Sequence, residues 1–141
     1  MFRRKIIFLA ALLAAVAGQA QESTARLKVD VSGLKSDRGS VRIALYGSET
    51  AFLKTSVRAA VLPIQGGRTT WQLDALPPGE YAIAVVHDEN GNGKTDRGAF
   101  NIPTEPYAFS NGAKALMGPP KWKEARFALK APATEIQVRL K

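Results

Sequence analysis

Oxygen-bearing side chains recur at alternate positions between residues 88 and 96. With Asp88 as position 1, they fall at positions 1, 3, 5 and 9, and a glycine falls at position 6: Asp88, Asn90, Asn92, Asp96 and Gly93. This is the first part of the calcium-loop pattern D-x-[DN]-x-[DN]-G. Calcium takes six to eight oxygen ligands at ~2.3–2.6 Å, and alternate residues of a tight coil turn toward one centre. The spacing predicts a Ca²⁺ site, with the main-chain carbonyl of Lys94 at position 7 as a further ligand.

The pattern departs from an EF-hand at its end. Position 12 is Ala99, where an EF-hand has a bidentate glutamate. We assign the missing carboxylate to Glu105, with Glu89 as the alternative. Because Asp88 and Asp96 are the only charged ligands that the loop pattern assigns, the expected dissociation constant is on the order of 10⁻⁴–10⁻³ M, as in extracellular calcium modules.

A turn without metal explains part of the same sequence. The Asn-Gly dipeptides at 90–91 and 92–93 are both preferred in type I′ turns, and aspartate side chains cap such turns. A plain hairpin, however, would resume strand alternation, and residues 97–103 do not alternate. Pro103 and Pro106 also argue against a regular paired strand there. The ion-binding loop is the favoured interpretation, and the capped turn stays open as its alternative.

Aromatic residues accompany this stretch. Tyr107, Phe109 and Trp122 could form an exposed platform for a cell-envelope glycan or a protein partner. The favoured interpretation of these rings is that they pin an irregular loop to the rest of the domain. A binding module built on these rings is the alternative to the calcium-loop function.

Catalytic interpretations have less support. A Ser–His–Asp set drawn from His87 and Ser110 lacks a nucleophile-elbow pattern, and nothing fixes the separation of Glu89 and Glu105 for a glycosidase. The absence of cysteine excludes thiol nucleophiles, cysteine zinc sites and disulfides. We expect a non-enzymatic protein, with a hydrolase as the least favoured alternative.

The elements that position these residues alternate between apolar and polar side chains, with the period of β-strands. Seven strands are predicted, over residues 27–31, 41–46, 57–62, 71–73, 81–86, 127–129 and 136–140. Strand 81–86 is apolar throughout, which predicts a central strand covered on both faces. The pattern predicts an all-β, seven-stranded sandwich of immunoglobulin-like or prealbumin-like type. One long irregular loop, 88–124, lies before the last two strands.

The first twenty residues have the composition of a secretory signal peptide. A basic start at residues 3–5 precedes an uncharged apolar run at 6–16, and small residues lie at −3 and −1 of a cut after Ala20. The run is shorter than the ~20 residues of a membrane-spanning helix. We therefore expect one domain, 21–141, in the periplasm or secreted, without a transmembrane segment. An uncleaved anchor is the less favoured alternative.

The charge balance suggests little about partners. The chain has 141 residues, which fits one domain, and a formal net charge of +8. Its basic side chains are scattered and no recognition motif accompanies them, so we do not expect nucleic-acid binding. The partner is unknown from sequence, and a cell-envelope polymer or protein is the candidate.

Four ordered runs carry a family resemblance. They are LPPGEYAIAV at 76–85, HDENGNG at 87–93, PTEPYAFSN at 103–111 and GPP at 118–120. Together they resemble the bacterial family called domain of unknown function 2141, over residues 27–140. The resemblance implies an exported or periplasmic protein with no established activity. LPPGEY also resembles the strand entry of transthyretin-like and collagen-adhesin B-type domains, which implies a seven-stranded prealbumin-like sandwich and no function.

Overall fold

The computed structural model describes residues 21–141, and the predicted signal peptide at 1–20 lies outside the described residues. Within that range, eight strands and one short α-helix follow one another along the chain: β1 Ala25–Ser32, β2 Ser40–Tyr46, β3 Arg58–Leu62, β4 Thr69–Leu76, β5 Gly79–Asp88, β6 Tyr107–Phe109, α1 Trp122–Ala125, β7 Phe127–Leu129 and β8 Ala133–Arg139. Across residues 21–141 no helix has the length and apolar character needed to cross a membrane.

The strands form two sheets. One sheet has the order β4–β1–β8, in which β1 runs antiparallel to β4 and parallel to β8. The other has the order β3–β2–β5–β6 with antiparallel neighbours, and β7 pairs with the start of β5. The all-β, sandwich-like architecture predicted from the alternation is therefore confirmed.

The core contains the apolar residues of the alternating strands. On β1, Leu27, Val29 and Val31 are at most 1% exposed, whereas the intervening side chains are half-buried. β2 and β5 contribute their own alternate residues: Val41, Ile43, Leu45, Ile83 and Val85. Because a one-residue slip would turn all of these side chains outward, the pattern also fixes the register of the strands.

The predicted number of seven strands is wrong by one. The eighth strand, β6, lies inside the stretch 88–124 that the sequence predicts as one long irregular loop. β6 has three residues and follows Pro106, so neither its length nor its flank is typical of a strand. Proline is tolerated at position 106 because this residue acts as an acceptor and not as a donor. Its carbonyl accepts the His87 N–H at 2.8 Å.

The second sheet carries another apolar cluster on the face turned away from the core. Its buried members are Phe52, Ala82, Trp122 and Ala125. Phe52 and Trp122 pack edge to face, with ring centroids 5.8 Å apart. The sequence predicts that strand 81–86 is covered on both faces. On the outer face of β5, Ala82 is buried as predicted, whereas Ala84 and Val86 are only half-buried.

Ser110 connects this cluster to β5. β7 pairs with residues 79–81 of β5 and β6 pairs with residues 84–86, so Ile83 lies between the two partners. The buried Ser110 hydroxyl accepts the Ile83 N–H at 2.8 Å and donates to the Ala125 carbonyl at 2.6 Å. A side chain thus replaces the strand partner that β5 lacks at this position.

Candidate functional site

The loop predicted to bind calcium begins where β5 ends. Asp88 is the last residue of β5 and is 1% exposed. Its carboxylate accepts the backbone N–H of Asn92 at 3.2 Å and that of Gly93 at 2.8 Å. Gly93 has a φ of +76°, a conformation that glycine adopts without the steric cost of a Cβ. The buried carboxylate therefore folds the loop back over the end of the strand.

Two asparagines complete the curl of the loop. The Oδ1 of Asn90 accepts the Asn92 N–H at 3.1 Å, and the Oδ1 of Asn92 accepts the Lys94 N–H at 2.9 Å. Their amide groups donate to the Asp96 carboxylate at 2.6 Å from Asn90 and at 2.8 Å from Asn92. The side chains at loop positions 3, 5 and 9 are therefore in direct contact.

The electrostatics of Asp96 follow from these contacts. The amides of Asn92 and Asn90, in that order, hold the pKa of the Asp96 carboxyl below its ordinary value, and the charge of Lys94 adds to the effect. Hydrogen bonds to the ionised form stabilise it relative to the neutral form. Asp96 is accordingly ionised at neutral pH, and its charge faces two amide dipoles.

Glu105 joins the loop from further along the chain. Its Oε2 accepts the Asp96 N–H at 3.1 Å, and the adjacent Thr104 N–H donates to the Asp96 carbonyl at 2.9 Å. Glu105 is 8% exposed, and its Oε1 is buried with no hydrogen-bond partner among the described residues. The structure thus brings Glu105 to the loop through the backbone of Asp96.

Two other predicted participants lie differently. Glu89, the alternative carboxylate, is 44% exposed and lies 3.6 Å from Nδ1 of His87. Lys94 is exposed, and its backbone N–H is held by Asn92. Within residues 21–141, no three His, Asp or Glu side chains are arranged to hold a metal ion. An ion in this loop would therefore depend on amide and main-chain oxygens as well as on carboxylates.

The predicted aromatic residues separate into two groups. Tyr107 and Phe109 are half-buried on the outer face of β6, with ring centroids 5.8 Å apart. Trp122 is 8% exposed and packs within the cluster around Phe52 and Ala82. Trp122 fixes α1 to the second sheet, and the two rings of β6 face a surface depression.

That depression, here called the outer groove, has a volume of about 870 Å³. Its floor is formed by the outer faces of β2, β5 and β6, through Tyr46, Ala84, Val86, Tyr107 and Phe109. Residues of the segments 97–103 and 115–119 line its sides. Phe100 and Met117, on the two sides, are almost fully exposed. An exposed apolar concavity of this kind is typical of a binding surface.

Comparison with protein-family models matches residues 29–137 to a family described as "Uncharacterized protein conserved in bacteria (DUF2141)". The chain belongs to this family. The match covers the calcium-loop candidate and all of the residues that line the outer groove, and it confirms the resemblance carried by the four sequence runs. For this DUF2141 protein, neither the comparison with curated proteins nor that with solved structures gave a match.

The histidine and serine of this DUF2141 protein both have backbone partners. His87 is fully buried, and its Nε2 lies 2.8 Å from the Arg38 carbonyl, an arrangement in which Nε2 donates. Ser110 donates its hydroxyl hydrogen to the Ala125 carbonyl. These contacts satisfy the Ser110 hydroxyl and the Nε2 of His87, whereas Nδ1 of His87 is buried without a hydrogen-bond partner among the described residues.

The outer groove is the feature that sequence reasoning missed. On β2, Arg42 and Ala44 occupy positions that the alternation assigns to a water-facing surface. On β5, Ala84 and Val86 were expected to be covered. The sequence signal for the groove is the composition of the outer faces of β2 and β5, because a solvent-exposed face seldom consists of alanine, valine and tyrosine.

Proposed function

We propose that this chain is an exported, non-enzymatic β-sandwich protein whose 88–96 loop, completed by Glu105, binds Ca²⁺ and orders the surface segment 97–124. The observation that carries the proposal is Oε1 of Glu105, which is buried without a hydrogen-bond partner within the described residues while Oε2 holds the Asp96 N–H. A buried carboxylate oxygen without a partner is unfavourable. A cation beside the loop would supply that partner.

Binding at this loop exchanges hydrogen bonds for metal ligation. Asp96 accepts N–H groups from Asn90 and Asn92, whereas Ca²⁺ requires oxygen atoms, so both amides must turn. Losing hydrogen bonds to a carboxylate opposes binding. This cost agrees with the expected dissociation constant on the order of 10⁻⁴–10⁻³ M.

Ordering of the segment follows from the way in which the chain returns to the loop. Thr104 and Glu105 hold the backbone of Asp96 on both its N–H and its carbonyl. Residues 97–103, between Asp96 and Thr104, form a short loop in which the Gly98 N–H donates to the Ile102 carbonyl at 2.8 Å. A cation shared by Asp96 and Glu105 would fix both ends of that loop.

Thermal unfolding in EDTA, in millimolar CaCl₂ and in MgCl₂ tests the proposal. A ligand at 100 times its dissociation constant adds about 2.7 kcal/mol to the free energy of unfolding, which raises Tm by several degrees in a domain of this size. Glu105→Gln should abolish the calcium-specific rise. Asp74→Asn is the matched control, since Asp74 is exposed and pairs with Arg26 on the other sheet. The absence of any calcium-specific rise in the wild-type protein would leave the loop as a capped turn.

The export part of the proposal has its own test. The pattern of residues 3–20 predicts cleavage after Ala20. The intact mass of the protein recovered from the periplasm or the medium should correspond to a chain that begins at Gln21. A full-length mass in the membrane fraction would instead indicate an uncleaved anchor.

The second candidate function is a glycan- or protein-binding module. It is favoured by the paired, half-buried rings of Tyr107 and Phe109 on the floor of the outer groove. Fluorescence quenching of Trp122 in a Trp71→Phe variant tests whether the third ring belongs to that surface. Because Trp122 is 8% exposed, we expect protection from the quencher, which would restrict the module to the two rings of β6.

A further inference from the structure

The floor of the outer groove is low because small side chains face each other across three strands. In the register of the second sheet, Ala44 of β2 lies opposite Ala59 of β3 and opposite Ala84 of β5, and Ala84 lies opposite Phe109 of β6. A shallower depression of about 510 Å³ continues the groove over β2 and β3. The outer groove and this depression together are here called the trough. The trough crosses four strands, and because neighbouring strands lie ~4.8 Å apart, its length is about 14 Å.

The charges along this trough have one sign. Its lining includes two charged side chains, Arg42 and Arg97, and no aspartate or glutamate within the part of the chain that the structure describes. Arg97 donates to the Asn101 carbonyl at 2.9 Å. Arg42 lies in register between Val61 and Val86, and its Nη1 is buried without a hydrogen-bond partner there.

A guanidinium held over an apolar floor without a counterion favours an anion. Charge-assisted hydrogen bonds between arginine and a carboxylate are among the stronger polar contacts in proteins. The Tyr46 ring lies on the same face of β2 as Arg42, and burial raises the pKa of its hydroxyl, so the hydroxyl remains a donor at neutral pH. The outer face of β2 therefore carries two hydrogen-bond donors, Arg42 and Tyr46.

We infer that the outer groove, together with the shallower depression that continues it, binds a long-chain fatty acid, with its carboxylate at Arg42 in the shallower depression and its chain along the alanine floor toward Tyr107 and Phe109. The ligand class follows from the contrast between the apolar floor and Arg42, whose Nη1 has no hydrogen-bond partner among the described residues, whereas Arg97 is held by the Asn101 carbonyl. A glycan would require several polar partners along its length, and the floor of Ala44, Ala84 and Val86 offers none from its side chains. The volume of about 870 Å³ falls within the range of small-molecule sites.

Binding of oleate to the whole protein, followed by displacement of a fluorescent fatty acid, tests this inference. Oleyl alcohol has the same chain without the charge, and butyrate has the charge without the chain. EDTA is present throughout, so that the result is independent of the calcium proposal. We expect oleate to bind at least tenfold more tightly than the alcohol, and butyrate to bind undetectably.

Two variants separate the charged end from the floor. Arg42→Gln should weaken oleate binding about tenfold or more and leave binding of the alcohol unchanged. The matched control is Arg58→Gln, at an exposed arginine at the start of β3. Ala84→Leu fills the floor and should abolish binding of both ligands, whereas Ala128→Leu, on the exposed side of β7, should not.

Several results would overturn the inference. Undetectable binding of oleate would remove it, and so would equal affinities for oleate and oleyl alcohol in the wild-type protein. Retention of full oleate affinity in Ala84→Leu would place the ligand elsewhere. Analytical ultracentrifugation completes the test, since a dimer that Ala84→Leu dissociates, in a protein that binds no oleate, would make this face a contact between two copies of the chain.

Discussion

Replacement of Ser110 by alanine tests the most sharply defined polar contact of the second sheet. Ser110 is fully buried, and its hydroxyl satisfies the Ile83 N–H at 2.8 Å and the Ala125 carbonyl at 2.6 Å. Alanine fits the same space but leaves both backbone groups buried without that partner. Each such group costs about 1–3 kcal/mol, so for the two groups we expect a loss of about 2–6 kcal/mol in the free energy of unfolding. That is a large share of the 5–15 kcal/mol typical of a domain.

Urea unfolding at equilibrium measures this loss, with an unchanged m-value as the sign that only stability has changed. Ser36→Ala is the control, because the Ser36 hydroxyl is exposed and accepts the Arg38 N–H at 3.4 Å. The control should stay within about 0.5 kcal/mol of the wild-type protein. A Ser110→Ala variant as stable as the control would refute the reasoning. It would show that β5 needs no partner between β6 and β7.

Four further predictions concern the loop and the strands that hold it. Asp88→Ala, measured by urea unfolding in EDTA, should cost about 1–2 kcal/mol because two backbone N–H groups lose their acceptor; an unchanged midpoint would mean that water replaces the carboxylate. The folded-state pKa of Asp96 is lowered, so the stability that its ionised form contributes is present above the ordinary value of 3.8 and is lost as the pH falls through the lower folded value. The difference in Tm between the wild-type protein and Asp96→Asn should accordingly disappear in acid, and a difference that grew on acidification would contradict this sign. Gly93→Ala should cost about 1 kcal/mol in urea unfolding, purely from the φ of +76°, because no atom lies within 4 Å of the added Cβ; a larger loss would indicate a clash. Tyr81→Phe removes the hydroxyl that donates to the Pro77 carbonyl at 2.7 Å, and urea unfolding should show a loss of about 1 kcal/mol in the free energy of unfolding.

The strands of the sandwich were predictable because their side chains alternate over enough residues. Leu27, Val29 and Val31 show the period without interruption, and all three are buried. β6 was not predictable, since three residues after a proline carry no period, and its pairing depends on the edge that β5 offers. Local sequence reports a strand only when the strand is long enough to show both of its faces.

The candidate site was predictable in its loop and not in its groove. The loop is local, so the spacing of Asp88, Asn90 and Asn92 determines which backbone N–H groups their side chains can reach. The contact of Glu105 with Asp96 is also local enough to be expected from the sequence. The outer groove, in contrast, depends on which residues of different strands become neighbours, as Ala44 and Ala84 do. That information belongs to the topology and not to any single segment.

The parallel pairing of β1 with β8 has a consequence for the order in which the fold is completed. β1 is the central strand of its sheet, and one of its two edges is satisfied only by residues 133–139 at the far end of the chain. A chain emerging from its N-terminal end exposes an apolar strand with one edge unpaired until the last strand has appeared, and unpaired edges are where chains associate wrongly. The first sheet can therefore close only after residues 133–139 have been synthesised. A chain that stops before residue 133 lacks the strand that protects β1.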